Sequence, residues 1–375
     1  MKTYYWMVNL CLIFLAFGIT QAEDASETLN QEYEAQKKAM YQQYEVERLN
    51  MEQKWAAVKT EQEEKWAQLK AEVERKWQTF VHSTRKDWVA YDPDKDTRSK
   101  VDFKQGKVVF EVIVPEDDPD AIEKVKTKIK KQADEVFRQK DIADKEILEN
   151  QVLTREGEKV TPANLEDFIK KEVLSEITPA PQSFESKDGI TRRRYKVEID
   201  MIPNHLRVRA GKYLPEINSN AIRFNIKPEL VLAVIHTESY FNPLALSSSN
   251  AVGMMQIIPR FAGREAYKKV YGVDQVLTHE YLYNPRNNIE LGSAYLSLLM
   301  YTHFRDIQGD IKNRYISICG YNWGPTAMRK NIVNRYPISK MSDEQVYSLL
   351  RQKTPKETRN YIKRVIERMP LYGSF

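Results

Sequence analysis

From Glu27 to Lys86 the chain has neither glycine nor proline, and an aromatic returns every eleven residues: Tyr33, Tyr44, Trp55, Trp66 and Trp77, then Trp88 just beyond. Met40 and Met51, followed by Gln62 and Val73, keep a second register, and Val58, Leu69 and Phe80 a third. Eleven residues in three turns is about 3.67 residues per turn, the period of an α-helix whose seam drifts slightly right-handed. The repeat predicts one long helix over 27–86. A row of tryptophans is poorly kept in water, so the seam is expected to be covered, as a coiled coil through self-association or by a protein partner.

The segment before it predicts export. "MKTYYWMVNLCLIFLAFGITQAED" opens with a lysine, runs apolar from Tyr4 to Ile19 and continues to Thr20-Gln21-Ala22. That is the layout of a secretory signal over 1–22. Cys11 lies inside the apolar run, which is no place for lipid attachment, although membrane association stays open. Only Cys319 remains after cleavage, so the exported, periplasmic chain must rely on its core rather than on an internal disulfide.

Beyond Lys86 the period changes. Residues 87–202 read as a small α+β domain. "SKVDFKQGKVVFEVIV" alternates around a glycine turn as a hairpin, "DAIEKVKTKIKKQADEVFRQ" is an amphipathic helix, and "EILENQVLT" reads as a strand. "TPANLEDFIKKEVLSEI" reads as a helix opened by Thr161-Pro162, and "RRRYKVEIDMI" as a last strand whose arginines, Arg192 to Arg194, line a solvated edge. No catalytic cluster is visible there. Residues 203–375 read as one all-α domain, with Asn204 as a helix cap and Pro228 in the first turn of "KPELVLAVIHTES". The whole is an α+β multidomain chain: long helix, small α+β domain, all-α domain.

Charge divides along the same line. Residues 204–375 carry 24 Lys and Arg against 13 Asp and Glu, a net +11, so the rest is −6 of the chain's +5. A basic half suits a polyanion such as nucleic acid, an acidic wall polymer or a membrane surface. Export and the lack of a recognition motif argue against nucleic acid. Five scattered histidines and one remaining cysteine give no metal site, and nothing calls for a cofactor.

One residue in this half stands out. Val231, Val234, Ile235 and Glu238 lie on one helical stripe, which sets a carboxylate among aliphatic side chains. Desolvation raises the pKa of such an acid, so it can stay protonated near neutrality and donate to a glycosidic oxygen. Glycoside hydrolysis ordinarily needs a second carboxylate. Glu265, Asp274, Glu290, Asp306 and Asp310 all sit in polar stretches that predict solvent. A one-carboxylate mechanism is possible if the substrate brings its own nucleophile. His236 and Cys319 read as structural.

Glu238-Ser239, "FNPLALS" ending at Ser247, "GMMQ" at 253–256, "YN" at 321–322 and Tyr361 follow in order over roughly 170 residues. In these blocks the chain resembles the family-1 lytic murein transglycosylases, which have a goose-lysozyme-like helical fold. Residues 87–202, through "DMIPNHL", resemble the N-terminal domain of the membrane-bound transglycosylase C branch, so the likeness spans Trp88 to Phe375 and leaves the tryptophan helix outside. The resemblance implies a lyase that cuts peptidoglycan glycan strands between N-acetylmuramic acid and N-acetylglucosamine, with Glu238 as acid and then base. The muramoyl 6-hydroxyl would close on C1 to a 1,6-anhydro end, which explains the missing second carboxylate.

By the same resemblance Ser239 and Ser247 would orient the carboxylate or the sugar, and Met255 and Gln256 would line the cleft, Gln256 on an acetamido group. Tyr321 and Asn322 would hold the sugar, and Tyr361 would reach Glu238. Two departures are visible: Met254 stands where leucine is usual, a volume-conserving change, and Gly320 where alanine is usual. Trp323 offers a surface for stacking on sugar. The competing expectations are a hydrolytic muramidase, which would leave reducing ends, and a non-enzymatic glycan-binding scaffold, whose binding would survive Glu238→Gln.

Overall fold

The structure, a computed structural model, describes residues 22–180 and 182–373. The apolar segment expected to direct export, with Cys11, lies outside them. The chain divides into two compact units, Met1–Ala71 and Glu72–Phe375.

Helix α1 runs Ala22–Lys76, ten residues short of the expected end. It stops because its last side chains are recruited elsewhere. The Trp77 indole N–H donates to the Lys95 carbonyl at 2.7 Å, and the Arg98 guanidinium lies 4.4 Å from its ring centroid. Lys76 donates to Asp96 and to the Asp94 carbonyl, both at 2.8 Å. Residues 77–86 leave the helix for this reason. Tyr33, Met40 and Trp66 are exposed in the single chain, and the expected coiled coil is not shown.

The α+β part is one antiparallel sheet. β1 (Asp87–Tyr91), β2 (Thr97–Asp102) and β3 (Lys107–Pro115) form a meander. α2 (Ala121–Phe137) follows, then the two-residue strands β4 (Thr178–Pro179) and β5 (Phe184–Glu185), and β6 (Thr191–Asp200). β6 lies between β3 and β4, with β5 on the β4 side. In β3, Val108, Phe110 and Val112 alternate inward as a half-buried strand requires. They meet the Val125, Ile129, Ala133 and Val136 stripe of α2 in one core.

Three expectations fail here. "EILENQVLT" is not a strand but a series of turns with left-handed Asn150, from which Ile147, Leu148 and Val152 drop into the core. The helix expected from Thr161 begins at Leu165 and turns into a π-helical turn at Ile169; Asn164 instead accepts from the Thr161 N–H at 2.7 Å. Arg192 is no solvated edge residue, being buried in a two-point pair with Asp188 at 2.6 and 2.8 Å.

The helical part starts with α3 (His205–Lys212) and α4 (Leu214–Phe224), and the Asn204 side chain does not cap α3. α5 (Pro228–Glu238) is buried from Leu230 to Glu238 on every side. The apolar stripe seen in sequence is thus one face of a central helix. α6 (Arg264–Tyr271), α7 (Pro285–Leu298), α8 (Asp310–Trp323), α9 (Asp343–Lys353) and α10 (Lys356–Arg368) share its core, and α4 and α10 pack directly against it. The two cores meet just beyond Glu238: Tyr240 packs in the sheet core and Phe241 in the helical one.

Candidate active site

Glu238 closes α5 and is followed by two consecutive left-handed residues, Tyr240 (φ 54°) and Phe241 (φ 61°). Bulky residues pay for such a conformation only where the surroundings hold it. Here they do. The Arg209 guanidinium donates to the Tyr240 carbonyl, and Arg368 donates to the Tyr240 hydroxyl, Thr237 and the His236 carbonyl. The end of α5 is clamped from both sides.

The Glu238 side chain is 5% exposed. Burial is the largest influence on its acidity and pushes the carboxyl up to about 7; Arg85, Tyr361 and Arg364 pull the other way. Its ion-pair partner is Arg85, Nη1 to Oε2 at 3.2 Å. The neighbouring groups that most affect it are thus cations and a phenol, not a second acid. The five other carboxylates singled out in the sequence are engaged elsewhere or exposed. Glu265 meets His303, Asp274 Arg264, Glu290 Arg223 and Tyr271, and Asp306 Arg329, while Asp310 is exposed in the first turn of α8.

Tyr321, Tyr361 and Glu238 come together. Burial drives both phenols well above their usual range, and the Glu238 carboxyl adds to it. The Tyr361 hydroxyl is buried with no hydrogen bond of ordinary geometry, yet it faces Glu238 closely enough for each to shift the other. Tyr321 donates instead to the Met255 carbonyl at 2.8 Å. Asn322 accepts from the Thr358 hydroxyl at 2.8 Å, which leaves its amide N–H groups for other use.

The "GMMQ" turn is built from backbone demands. Gly253 has φ 74°, and a Cβ there would lie 2.6 Å from the Leu282 carbonyl. Gln256 is left-handed as well (φ 51°); its amide donates to the Gly253 and Ala245 carbonyls, and its buried Oε1 has no partner. Met255 is fully buried, its side chain seated on Gly292. Ser239 is also fully buried and donates to the Met254 carbonyl at 2.8 Å, so it ties this turn to α5 rather than touching the carboxylate. Ser247 accepts from the Ser249 and Ala251 N–H groups. Trp323 is half-buried.

Three contributors escaped the sequence reading. Asn288 is fully buried, accepts from the Met255 N–H at 2.7 Å and donates to the Val252 and Leu282 carbonyls at 2.9 Å; a lone asparagine in "NPRNNIE" gives no signal. Arg209 resembles any helix arginine. Arg85 lay in what reads as helix. His236 is buried with Tyr372 at 3.0 Å, and Cys319 is a buried free thiol. Among the described residues no cluster suits a metal ion.

The Transglycosylase SLT domain family matches residues 215–342. The Membrane-bound lytic murein transglycosylase C, N-terminal domain family matches residues 51–212. That match starts well before Trp88 and takes in Trp55, Trp66 and Trp77, so the likeness reaches into the long helix that had been placed outside it. The Haemophilus influenzae (strain PittEE) membrane-bound lytic murein transglycosylase C is 33% identical over 300 residues, covering 76% of this chain and 80% of that protein. The Yersinia enterocolitica enzyme of the same name is 30% identical over 312 residues, covering 75% and 80%. Among solved structures, the 70-kDa soluble lytic transglycosylase of Escherichia coli is 26% identical over 41% of this chain and 24% of that one, with a TM-score of 0.33. The relatives' activity removes the non-enzymatic scaffold reading. The chain belongs to the membrane-bound lytic murein transglycosylase C family and is a peptidoglycan-cleaving lytic transglycosylase.

Proposed function

We propose that Glu238 is the single acid–base of a non-hydrolytic cleavage of the β-1,4 bond between N-acetylmuramic acid and N-acetylglucosamine. Protonated Glu238 gives its proton to the glycosidic oxygen as the C1–O bond breaks. The resulting carboxylate takes the proton of the muramoyl 6-hydroxyl, whose oxygen closes on C1. The enzyme regains its proton, the product end is a 1,6-anhydro sugar, and no water is consumed. The observation that carries this is a carboxyl 5% exposed, pushed up to about 7, with cations and phenols around it in place of a second acid. A pKa near the working pH serves both roles in turn.

The other residues take supporting parts in this reading. Gln256 offers its unpartnered buried Oε1 to the N–H of an acetamido group. Ser247, which accepts twice from the backbone, keeps its own O–H for the ligand, and Asn322 its amide N–H groups. Tyr321, Met255 and Ser239 position the turn and the end of α5, and Tyr361 faces the carboxylate. Residues 203–375 form the catalytic domain, 87–202 the α+β domain, and the long helix extends reach or binds a partner. The apolar segment at 4–19 directs export to the envelope, where the substrate lies. Among the described residues no helix is long and apolar enough to cross a membrane.

The test is a digest of purified peptidoglycan by the parent and by Glu238→Gln, with product ends read by mass spectrometry. Anhydromuramoyl ends from the parent alone are expected. Reducing ends would make water the nucleophile and the enzyme a muramidase. Undiminished cleavage by the variant would remove Glu238 from the mechanism.

A further inference from the structure

We propose that Arg85 is a positioning residue for Glu238: a guanidinium, delivered from the N-terminal α+β region, that sets how readily the catalytic carboxyl yields and regains its proton. The inference deepens the acid–base reading of Glu238 and rests on it.

The delivery is built into the backbone. The Tyr91 hydroxyl donates to the Val81 carbonyl at 2.9 Å and accepts from the Val81 N–H at 3.1 Å. Ser83 exchanges hydrogen bonds with both backbone groups of Val89. The Thr84 hydroxyl bonds the Asp87 carboxylate at 2.8 Å, and the Phe103 N–H donates to the Lys86 carbonyl at 2.9 Å. Residues 81–87 are therefore tied to β1 and the end of β2. A side chain projecting from a segment so held does not find the carboxylate of α5, 153 residues away, by accident of a mobile loop.

The two partners differ in exposure. The Arg85 side chain is 38% exposed and that of Glu238 6%, so Arg85 stands on the solvent side of the carboxyl, where a glycan strand has to arrive. The groups facing Glu238 are Arg85 from this segment, Tyr361 and Arg364 from α10, and Tyr321 from α8. Lys86 stands beside them over the Tyr240 ring, its pKa lowered by burial and by the neighbouring Lys104, Arg364 and Arg85. Burial alone would drive Glu238 far from its ionised form, leaving a weak acid that seldom releases its proton. The Arg85 charge at 3.2 Å opposes this, holding the group where it can act first as acid and then as base.

The sign follows. Cleavage requires protonated Glu238, so activity falls as pH rises through its pKa. Removing Arg85 raises that pKa, and the alkaline limb should move upward.

The test measures kcat/KM on purified peptidoglycan against pH for the full chain, for Arg85→Gln and for Arg85→Lys. The Glu238 carboxyl is titrated in parallel by ¹³C NMR, its signal assigned by loss in Glu238→Gln. In Arg85→Gln both the limb and the titration should shift upward by about one pH unit, and Arg85→Lys should keep both near the parent. A titration that stays put or moves down in Arg85→Gln, or that moves equally in Arg85→Lys, overturns the proposal. If the titration shifts as stated but Glu238→Gln still turns over, Arg85 stands as the counter-ion and the acid–base reading of Glu238 is what fails.

Discussion

Arg209 donates through Nε to the carbonyl of Tyr240 at 3.1 Å, two residues beyond Glu238, although it is fully buried and pairs with no carboxylate among the described residues. Its Nη1 donates to Gln151 at 2.6 Å and its Nη2 to the Phe103 carbonyl at 2.7 Å, both in the α+β part. One side chain thus joins the sheet region to the strained backbone that follows α5 and Glu238.

Replacing Arg209 by methionine should cost about 3 kcal/mol or more, because three buried acceptors lose their donors at once. Arg209→Lys should not restore stability, since an ammonium cannot reproduce the planar fork. Urea unfolding measures the loss, and kcat should fall with it as Tyr240 and Glu238 lose their clamp.

Asn288→Leu should cost about 3 kcal/mol, since the Met255 N–H and the Val252 and Leu282 carbonyls are left unpaired in the core. Gly253→Ala should cost about 2–4 kcal/mol, from its left-handed backbone and its approach to the Leu282 carbonyl. Both changes act on the turn that carries Gln256. Thermal melts report the stability, and KM for peptidoglycan should rise in any variant that stays folded.

Glu238 should be a stability liability at high pH. Its folded pKa is raised from 4.5 to about 7, so between these values the folded state binds more protons than the unfolded one. Stability is fully present below 4.5 and is lost as pH rises through 7. Glu238→Gln should therefore be more stable than the parent at pH 8, by on the order of 3 kcal/mol, and indistinguishable at pH 4. Its kcat should drop by about 10²–10⁴-fold. Denaturant midpoints at the two pH values check the first claim and turnover the second.

His236 works in the opposite direction. Burial first, then Arg368, lowers its pKa from 6.5 to about 3. The unfolded chain takes up the proton sooner, so this contribution is present above 6.5 and is lost as pH falls toward 3. His236→Gln should unfold at lower pH than the parent in an acid titration followed by circular dichroism. An unchanged acid midpoint would show that another group sets it.

The helices of the C-terminal half, the hairpin and the last strand were legible because their apolar residues recur at 3.6 or 2 and their ends carry proline, glycine and asparagine. "EILENQVLT" misled because its apolar residues are buried from turns, and burial without regular backbone imitates a strand. The helix repeat misled at its end for a different reason. Nothing local stops residues 77–86 from being helical; Trp77 leaves because Lys95 and Arg98 offer a better place.

Sequence by itself determined most of the helices and strands and singled out Glu238. A glutamate on an apolar helix, followed by blocks at set distances, implies a buried acid whatever the surrounding detail. Only the tertiary structure decided how that acid is held. Arg85 lies 153 positions from Glu238, and Asn288 33 from Met255. A charge or an amide acts through distance in space, which falls to 3 Å only after folding has brought separate segments together. Local pattern records which face of a helix is apolar, but not which remote side chain will stand opposite it.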